Sequence, residues 1–172
     1  MGHSFGGVTV LTSLKNERRL VGGIALDPWC EPLTEEFFTP NTETKKPSLL
    51  IFTEYWNFKN NMRKCYRHME IEQQFAEVVT LKNARHYDQC DIPAIIPSFV
   101  ANFFAGRKKT VICFDEGIRV QRNLVTDFLW KFFGVKDKLN EPSKLLGEDY
   151  ELSDFFMIGS NIVLEEDKAS KL

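Results

Sequence analysis

A chain of 172 residues that is 43% hydrophobic, 13% aromatic and 27% charged is long enough for one globular domain with a real core. Its formal net charge is −2 and it has no Lys/Arg-rich block, so the sequence carries no electrostatic footprint for nucleic acid. The most apolar stretch, residues 94–106, contains Pro97 and Asn102 and is too short to span a bilayer.

In chain order, Met1 is followed by Gly2-His3-Ser4-Phe5-Gly6, a G-x-S-x-G pattern that signals a serine on a sharp strand-to-helix turn. Residues 8–19 read as a helix with Val8, Leu11 and Leu14 on one face. Residues 20–26 (LVGGIAL) read as a short buried strand bounded by Asp27-Pro28, and 32–46 as a polar loop. A second buried strand, 48–53 (SLLIFT), opens after Pro47. Residues 57–74 are polar with helical spacing, and 77–81 (EVVTL) make a third strand. Residues 92–105 read as a helix with Pro93 in its first turn and a kink at Pro97, and 110–114 are ambiguous. Residues 120–133 form an amphipathic helix through Leu124, Phe128, Leu129 and Phe132, stopped by Gly134. Beyond Pro142 the chain turns mixed and charged, and 165–172 reads as a disordered tail. Buried strands alternating with helices predict an α/β fold with a mostly parallel sheet, and no internal repeat occurs.

Four cysteines, Cys30, Cys65, Cys90 and Cys113, lie far apart in sequence without C-x-x-C or a nearby histidine pair. They predict buried, reduced thiols and no metal site. No N-x-S/T sequon is present, which argues against a glycosylated extracellular chain; no N-terminal targeting segment is seen either, which for a truncated start says nothing of the parent protein.

A serine that attacks an ester needs a base, an acid to orient it and donors for the oxyanion. On an elbow of this kind the chain order is serine, acid, histidine. Asp27 follows the LVGGIAL strand, at the carboxyl edge where parallel sheets place functional groups. His86 lies in a loop shortly after EVVTL, whereas His68, among Arg63, Lys64, Arg67 and Glu70, reads as part of a solvated helix face. Singly, Asp27-Pro28 reads equally as a turn and His86 as a surface histidine. Together with Ser4 they follow the required order on successive strand ends. Glu54 is the rival acid, better suited to a structural or substrate-contacting role. Gly2 and Gly6 flank the serine where side chains would collide with the turn, and Gly7 lets the helix start approach closely. The Phe5 backbone N–H is one expected oxyanion donor.

With these residues in place, the chain resembles the C-terminal half of the platelet-activating-factor acetylhydrolases of the α/β-hydrolase type. "GHSFGG-TV" is similar to that family's elbow, "GIALDPW" to its acid strand and "PSLLIFTEYW" to its next strand. "VVTLKNARHYDQCD" resembles the histidine loop and "LVTDFLWKFFGV" a late helix. The resemblance implies a partial α/β-hydrolase fold over residues 1–140, lacking the N-terminal strands, with 141–172 a C-terminal extension. It implies Ser4 as nucleophile, Asp27 as orienting acid and His86 as general base, with Trp29 lining the acyl pocket. The implied reaction is calcium-independent hydrolysis of a short or oxidised sn-2 acyl ester of a phospholipid, with no cofactor. Pro28, where the family often has a small residue, and Arg85-His86-Tyr87 around the base depart from the pattern.

Family members meet lipid through a helix after the histidine, which falls near Phe99, Val100, Phe103 and Phe104; these side chains suit either a lipid interface or the core. The family's upstream half carries the first strands and the second oxyanion donor, whose loss alone costs roughly a hundred- to thousand-fold in rate. The expectation is therefore a partial sequence or an internal start, with the LVGGIAL edge exposed, weak stability and little activity. The terminal Ser170-Lys171-Leu172 reads as a peroxisomal address, with cytosol or secretion as the alternatives. Two other functions stay open: an inactive fragment that binds lipid or a partner, and a serine hydrolase of another ester class.

Overall fold

The computed structural model describes residues 1–38, 46–56, 58–72, 76–96, 100, 112–134 and 156–158. Phe99, Phe103, Phe104, the kink at Pro97 and the terminal Ser170, Lys171 and Leu172 lie outside these residues, while Val100 is partly buried. The elements are β1 (Gly2–His3), α1 (Phe5–Asn16), β2 (Gly23–Leu26), β3 (Ser48–Thr53), α2 (Lys59–Glu72), β4 (Ala76–Leu81), α3 (Ile92–Ile95), α4 (Phe114–Phe133) and β5 (Phe156–Ile158). Single 3₁₀ turns lie at Glu35–Phe38, Glu54–Trp56 and His86–Gln89.

The five strands lie side by side in chain order. β1 to β4 are parallel, and β5 joins β4 antiparallel through Val79–Ile158, Thr80–Met157 and Leu81–Phe156. This is the expected α/β architecture, a parallel four-stranded sheet flanked by helices. All six residues of β3 are buried, as a central parallel strand covered on both faces requires. Its side chains alternate between two cores with the period of two of a strand. Leu50 and Phe52 pack with Val8 and Leu11 of α1 and with Met62 and Cys65 of α2. Leu49 and Ile51 pack on the opposite face with Val120 and Phe128 of α4.

Several expectations shift. α1 opens at Phe5 directly after the serine and ends at Asn16, because Glu17 turns extended. Residues 20–22 precede β2 rather than belong to it, and Leu20 and Val21 are exposed. The elbow itself pairs with β2, Gly2 with Ala25 and His3 with Leu26, so part of the edge expected to be bare is covered. The loop expected at 32–46 contains a 3₁₀ turn that buries Phe38. The helix expected over 92–105 breaks at Ile96, which is extended (φ −92°, ψ 129°). Ile96 precedes Pro97, and a residue before proline is pushed out of the helical region. α4 begins at Phe114, six residues early, with Gly134 left-handed at its end (φ 59°).

His68 does not sit on a solvated face. It is buried and stacks on Phe37 with ring centroids 5.3 Å apart. The cysteines that are isolated in sequence are not all isolated in space. Cys30 and Cys65, both buried, bring their Sγ atoms to 3.1 Å. Burial, followed by the neighbouring Cys30, pushes the Cys65 thiol well above its ordinary range, which suits an inert packing role. Among the described residues, no helix is long and apolar enough to cross a membrane.

Candidate active site

The carboxyl ends of β1 to β4 deliver one site. Ser4 follows β1 with a positive φ of 57°, a conformation that non-glycine residues rarely hold and that concentrates at functional sites. The turn is tight because a single residue, Ser4, separates the end of β1 from the start of α1. A Cβ on Gly2 would stand 2.2 Å from the Gly6 carbonyl oxygen, so that position tolerates no side chain. On Gly7 a Cβ would stand 3.0 Å from Pro28 Cα, so Gly7 lets α1 lie against the acid loop. Gly6, expected to need the same allowance, faces open space. The backbone locks the turn into the sheet. Ser4 N–H donates to Leu26 O at 2.8 Å, and Trp29 N–H donates to Ser4 O at 3.2 Å. Phe5 is the first residue of α1, so its N–H has no carbonyl partner within the helix, and its side chain is exposed.

Asp27 directly follows β2 with φ 39° and is wholly buried. Its Oδ1 accepts Thr53 N–H at 2.6 Å and its Oδ2 accepts Thr53 Oγ1–H at 2.6 Å. The same Oδ2 lies 3.1 Å from His86 Nδ1. Burial pushes the pKa of Asp27 above the usual carboxylate range, while the bonds from His86 and Thr53 pull it back. Glu54, the rival acid, is engaged elsewhere: its Oε2 accepts Asn83 N–H at 2.7 Å.

His86 opens the 3₁₀ turn after β4 and is buried. Arg85 and Asp88 close that turn: Asp88 Oδ2 accepts the Arg85 N–H at 2.7 Å, and its Oδ1 accepts Arg85 Nη2–H at 3.1 Å. With Asp27 ionised, Nδ1 of His86 carries the proton and Nε2 is left as the acceptor that a general base needs. Ser4 and His86 line one cavity of about 360 Å³ together with His3, Trp29, Trp56, Tyr87, Cys90 and Ile92. Trp29, 39% exposed, stands at the wall of this cavity.

Four residues of the site were not singled out from sequence. His3 donates through Nε2 to the His86 carbonyl at 3.0 Å, which places its ring 4.4 Å from that of His86. Burial first, then the charge of His86, holds His3 below the ordinary histidine range. Trp56 stacks on His86, and Thr53 binds both oxygens of Asp27. Asn61, on α2, clamps the acid loop: its Oδ1 accepts Cys30 N–H at 2.5 Å and its Nδ2 donates to Pro28 O at 2.9 Å. The available signal was position. Thr53 and Trp56 stand at and just past the carboxyl end of a buried strand, and His3 stands within the elbow motif.

His3, Asp27 and His86 also bring potential metal-ligand atoms within 4.8 Å of one another. Both Asp27 oxygens already accept protein hydrogen bonds and His3 Nε2 is committed to the His86 backbone carbonyl, so these atoms are engaged by protein groups.

Residues 1–151 match the family model described as platelet-activating factor acetylhydrolase, isoform II. The chain belongs to this family. It is 25% identical to the platelet-activating factor acetylhydrolase of Cavia porcellus over 159 residues, which is 92% of the chain and 35% of that relative. It is 30% identical to the Gallus gallus protein of the same name over 146 residues, 85% of the chain and 33% of the relative. The Canis lupus familiaris protein is 29% identical over 166 residues, 94% of the chain and 34% of the relative. The chain thus spans about a third of the length of the curated relatives it matches. The family is one of hydrolases, and in this chain the serine, the buried carboxylate and the histidine stand at the carboxyl ends of β1, β2 and β4.

Proposed function

We propose that this chain carries the reacting groups of a serine esterase that hydrolyses the short or oxidised sn-2 acyl ester of platelet-activating factor and related phospholipids. The observation that carries this reading is the 3.1 Å contact between Asp27 Oδ2 and His86 Nδ1, beside a serine held at positive φ in the same cavity. His86 Nε2 takes the proton of Ser4 Oγ as the oxygen attacks the ester carbonyl. The Phe5 N–H, at the positive end of α1, donates to the oxyanion. The tetrahedral intermediate collapses as His86 returns the proton to the departing lysophospholipid alkoxide. Water, deprotonated by the same nitrogen, then releases the acyl group from Ser4. The walls supplied by Trp29, Trp56, Tyr87 and Ile92 suit an apolar acyl chain, and Trp29, Tyr87 and Ile92 are exposed at the surface.

A fluorophosphonate probe on the purified chain tests this. Slow labelling of Ser4 is expected, in keeping with the little activity expected of this chain, and it is lost in Ser4→Ala and His86→Ala; an unlabelled wild-type chain would favour an inactive fragment. Faster turnover of short-acyl phospholipid than of nitrophenyl esters is expected, and the reverse order would indicate another ester class. Every group used is a protein atom, so chelation with EDTA is expected to leave the labelling rate unchanged.

A further inference from the structure

The 3₁₀ turn Glu54–Trp56 is strapped to the segment just before His86. Glu54 Oε2 accepts Asn83 N–H at 2.7 Å, Tyr55 N–H donates to Ala84 O at 3.1 Å, and Tyr55 Oη lies 3.2 Å from Asn83 Oδ1. These bonds hold Trp56 and His86 as one unit without using the indole itself. Within that unit the two rings stack with centroids 3.8 Å apart and planes 18° from parallel. Phe58 meets the other ring system edge-on, 4.7 Å from Trp56. The indole Nε1–H is buried with no hydrogen-bond partner among the described residues. A tryptophan whose polar handle is idle is held for its ring, and that ring lies on the imidazole.

The other groups around the imidazole divide by sign. Asp27 bonds Nδ1 and favours the protonated ring. His3 lies 4.4 Å away, and a second positive charge there would oppose it. The Arg85–Asp88 ion pair flanks the backbone, Tyr87 meets the imidazole at 68°, and Cys90 lines the same cavity. An indole face attracts the cation more strongly than the neutral ring, because its negative face draws a positive charge in addition to the stacking that both forms share.

We propose that Trp56 is a positioning residue for the general base: its face fixes the imidazole plane against Asp27 and stabilises the imidazolium formed when Ser4 gives up its proton. This rests on the esterase reading for its chemical consequence, whereas the stack itself is measurable without catalysis.

The decisive experiment compares the wild-type chain with Trp56→Phe, which keeps an aromatic face, and Trp56→Met, which fills space without one. The fluorophosphonate labelling rate of Ser4 is followed against pH. In Trp56→Met the acidic limb is expected to move to lower pH by about half a unit. The plateau rate is expected to fall about two- to fivefold. Trp56→Phe is expected to restore both. A limb that moves to higher pH in Trp56→Met, as better hydration of the imidazole alone would cause, overturns the proposal, as does an unchanged limb.

NMR supplies the second readout. His86 ring protons are expected to be shifted upfield by the indole in the wild type and to lose that shift in Trp56→Met; absence of the shift in the wild type also overturns the proposal. If wild-type Ser4 is not labelled at all, the esterase reading fails. The pH at which the His86 resonances move, compared between wild type and Trp56→Met, then decides this inference in the same direction. Should Trp56→Met fail to melt cooperatively, Trp56→Leu takes its place in both measurements.

Discussion

Asp27 shows how much a single residue concentrates here. It holds a positive φ, is wholly buried and shares its two oxygens among Thr53 and His86. Asp27→Asn keeps the shape but removes the charge that selects the Nδ1–H form of His86. Labelling of Ser4 is expected to slow by about four orders of magnitude, the effect of the same change in a serine protease. The two glycines of the elbow motif are expected to part company. In Gly2→Ala the new Cβ would meet the Gly6 carbonyl oxygen at 2.2 Å, so the strand-to-helix turn must open and cooperative melting should be lost or sharply lowered. Gly6→Ala meets nothing within 4 Å and lies in α1, where alanine is favoured over glycine by about 0.5–1 kcal/mol. Calorimetry of the two variants is expected to move in opposite directions; equal destabilisation would contradict the geometry.

At the scale of elements, the acid loop is held between a strand and a helix. Asn61, fully buried on α2, satisfies the Cys30 N–H and the Pro28 carbonyl, so Asn61→Ala strands two buried polar groups. The expected cost is about 1–3 kcal/mol in urea denaturation. A fall in the labelling rate should accompany it, because residues 28–30 adjoin Asp27.

The elements themselves were largely legible in sequence. SLLIFT and EVVTL stand out because strands buried on both faces must be continuously apolar, and Gly134 marks the end of α4 because that position is left-handed. The order Ser4, Asp27, His86 was legible because chain order follows strand order in this sheet. Other features depend on contacts that no local pattern carries. His68 is surrounded in sequence by charges, yet its burial is set by Phe37, thirty-one residues away. Asn61 looks like any polar helix residue until β2 brings a loop to it. The helix expected over 92–105 is interrupted at Ile96 for a local reason, the preference of a residue before proline for extended backbone.

For the whole molecule, His68 predicts acid sensitivity. Burial, with a smaller push from Lys15, lowers its pKa from 6.5 to about 4. The folded state therefore favours the neutral ring, and an unfolded chain takes up the proton first on acidification. The stability tied to this group is fully present above pH 6.5 and is lost as pH falls toward about 4, amounting to about 3 kcal/mol. Asp27, lifted by burial, acts in the opposite sense over an overlapping range, so the comparison must isolate His68. His68→Phe keeps the stack on Phe37 and removes the titration. Its denaturation midpoint is expected to change less than that of the wild type between pH 7 and pH 4.5. Parallel profiles would show that another group governs the acid limb.

The sheet whose spatial order equals its chain order has a kinetic consequence. Each of the parallel strands after β1 docks on the strand that precedes it, so the chain closes modest loops one after another and never skips a neighbour. His86 follows β4 and Asp27 follows β2, with β3 between them, so their contact forms only after the central strand has docked on both sides. The buried carboxylate–imidazole contact is thus a late event of assembly. Reactivity of Ser4 toward a fast acylating probe, sampled during refolding, should lag behind the return of helical structure and mark the moment at which the sheet becomes continuous.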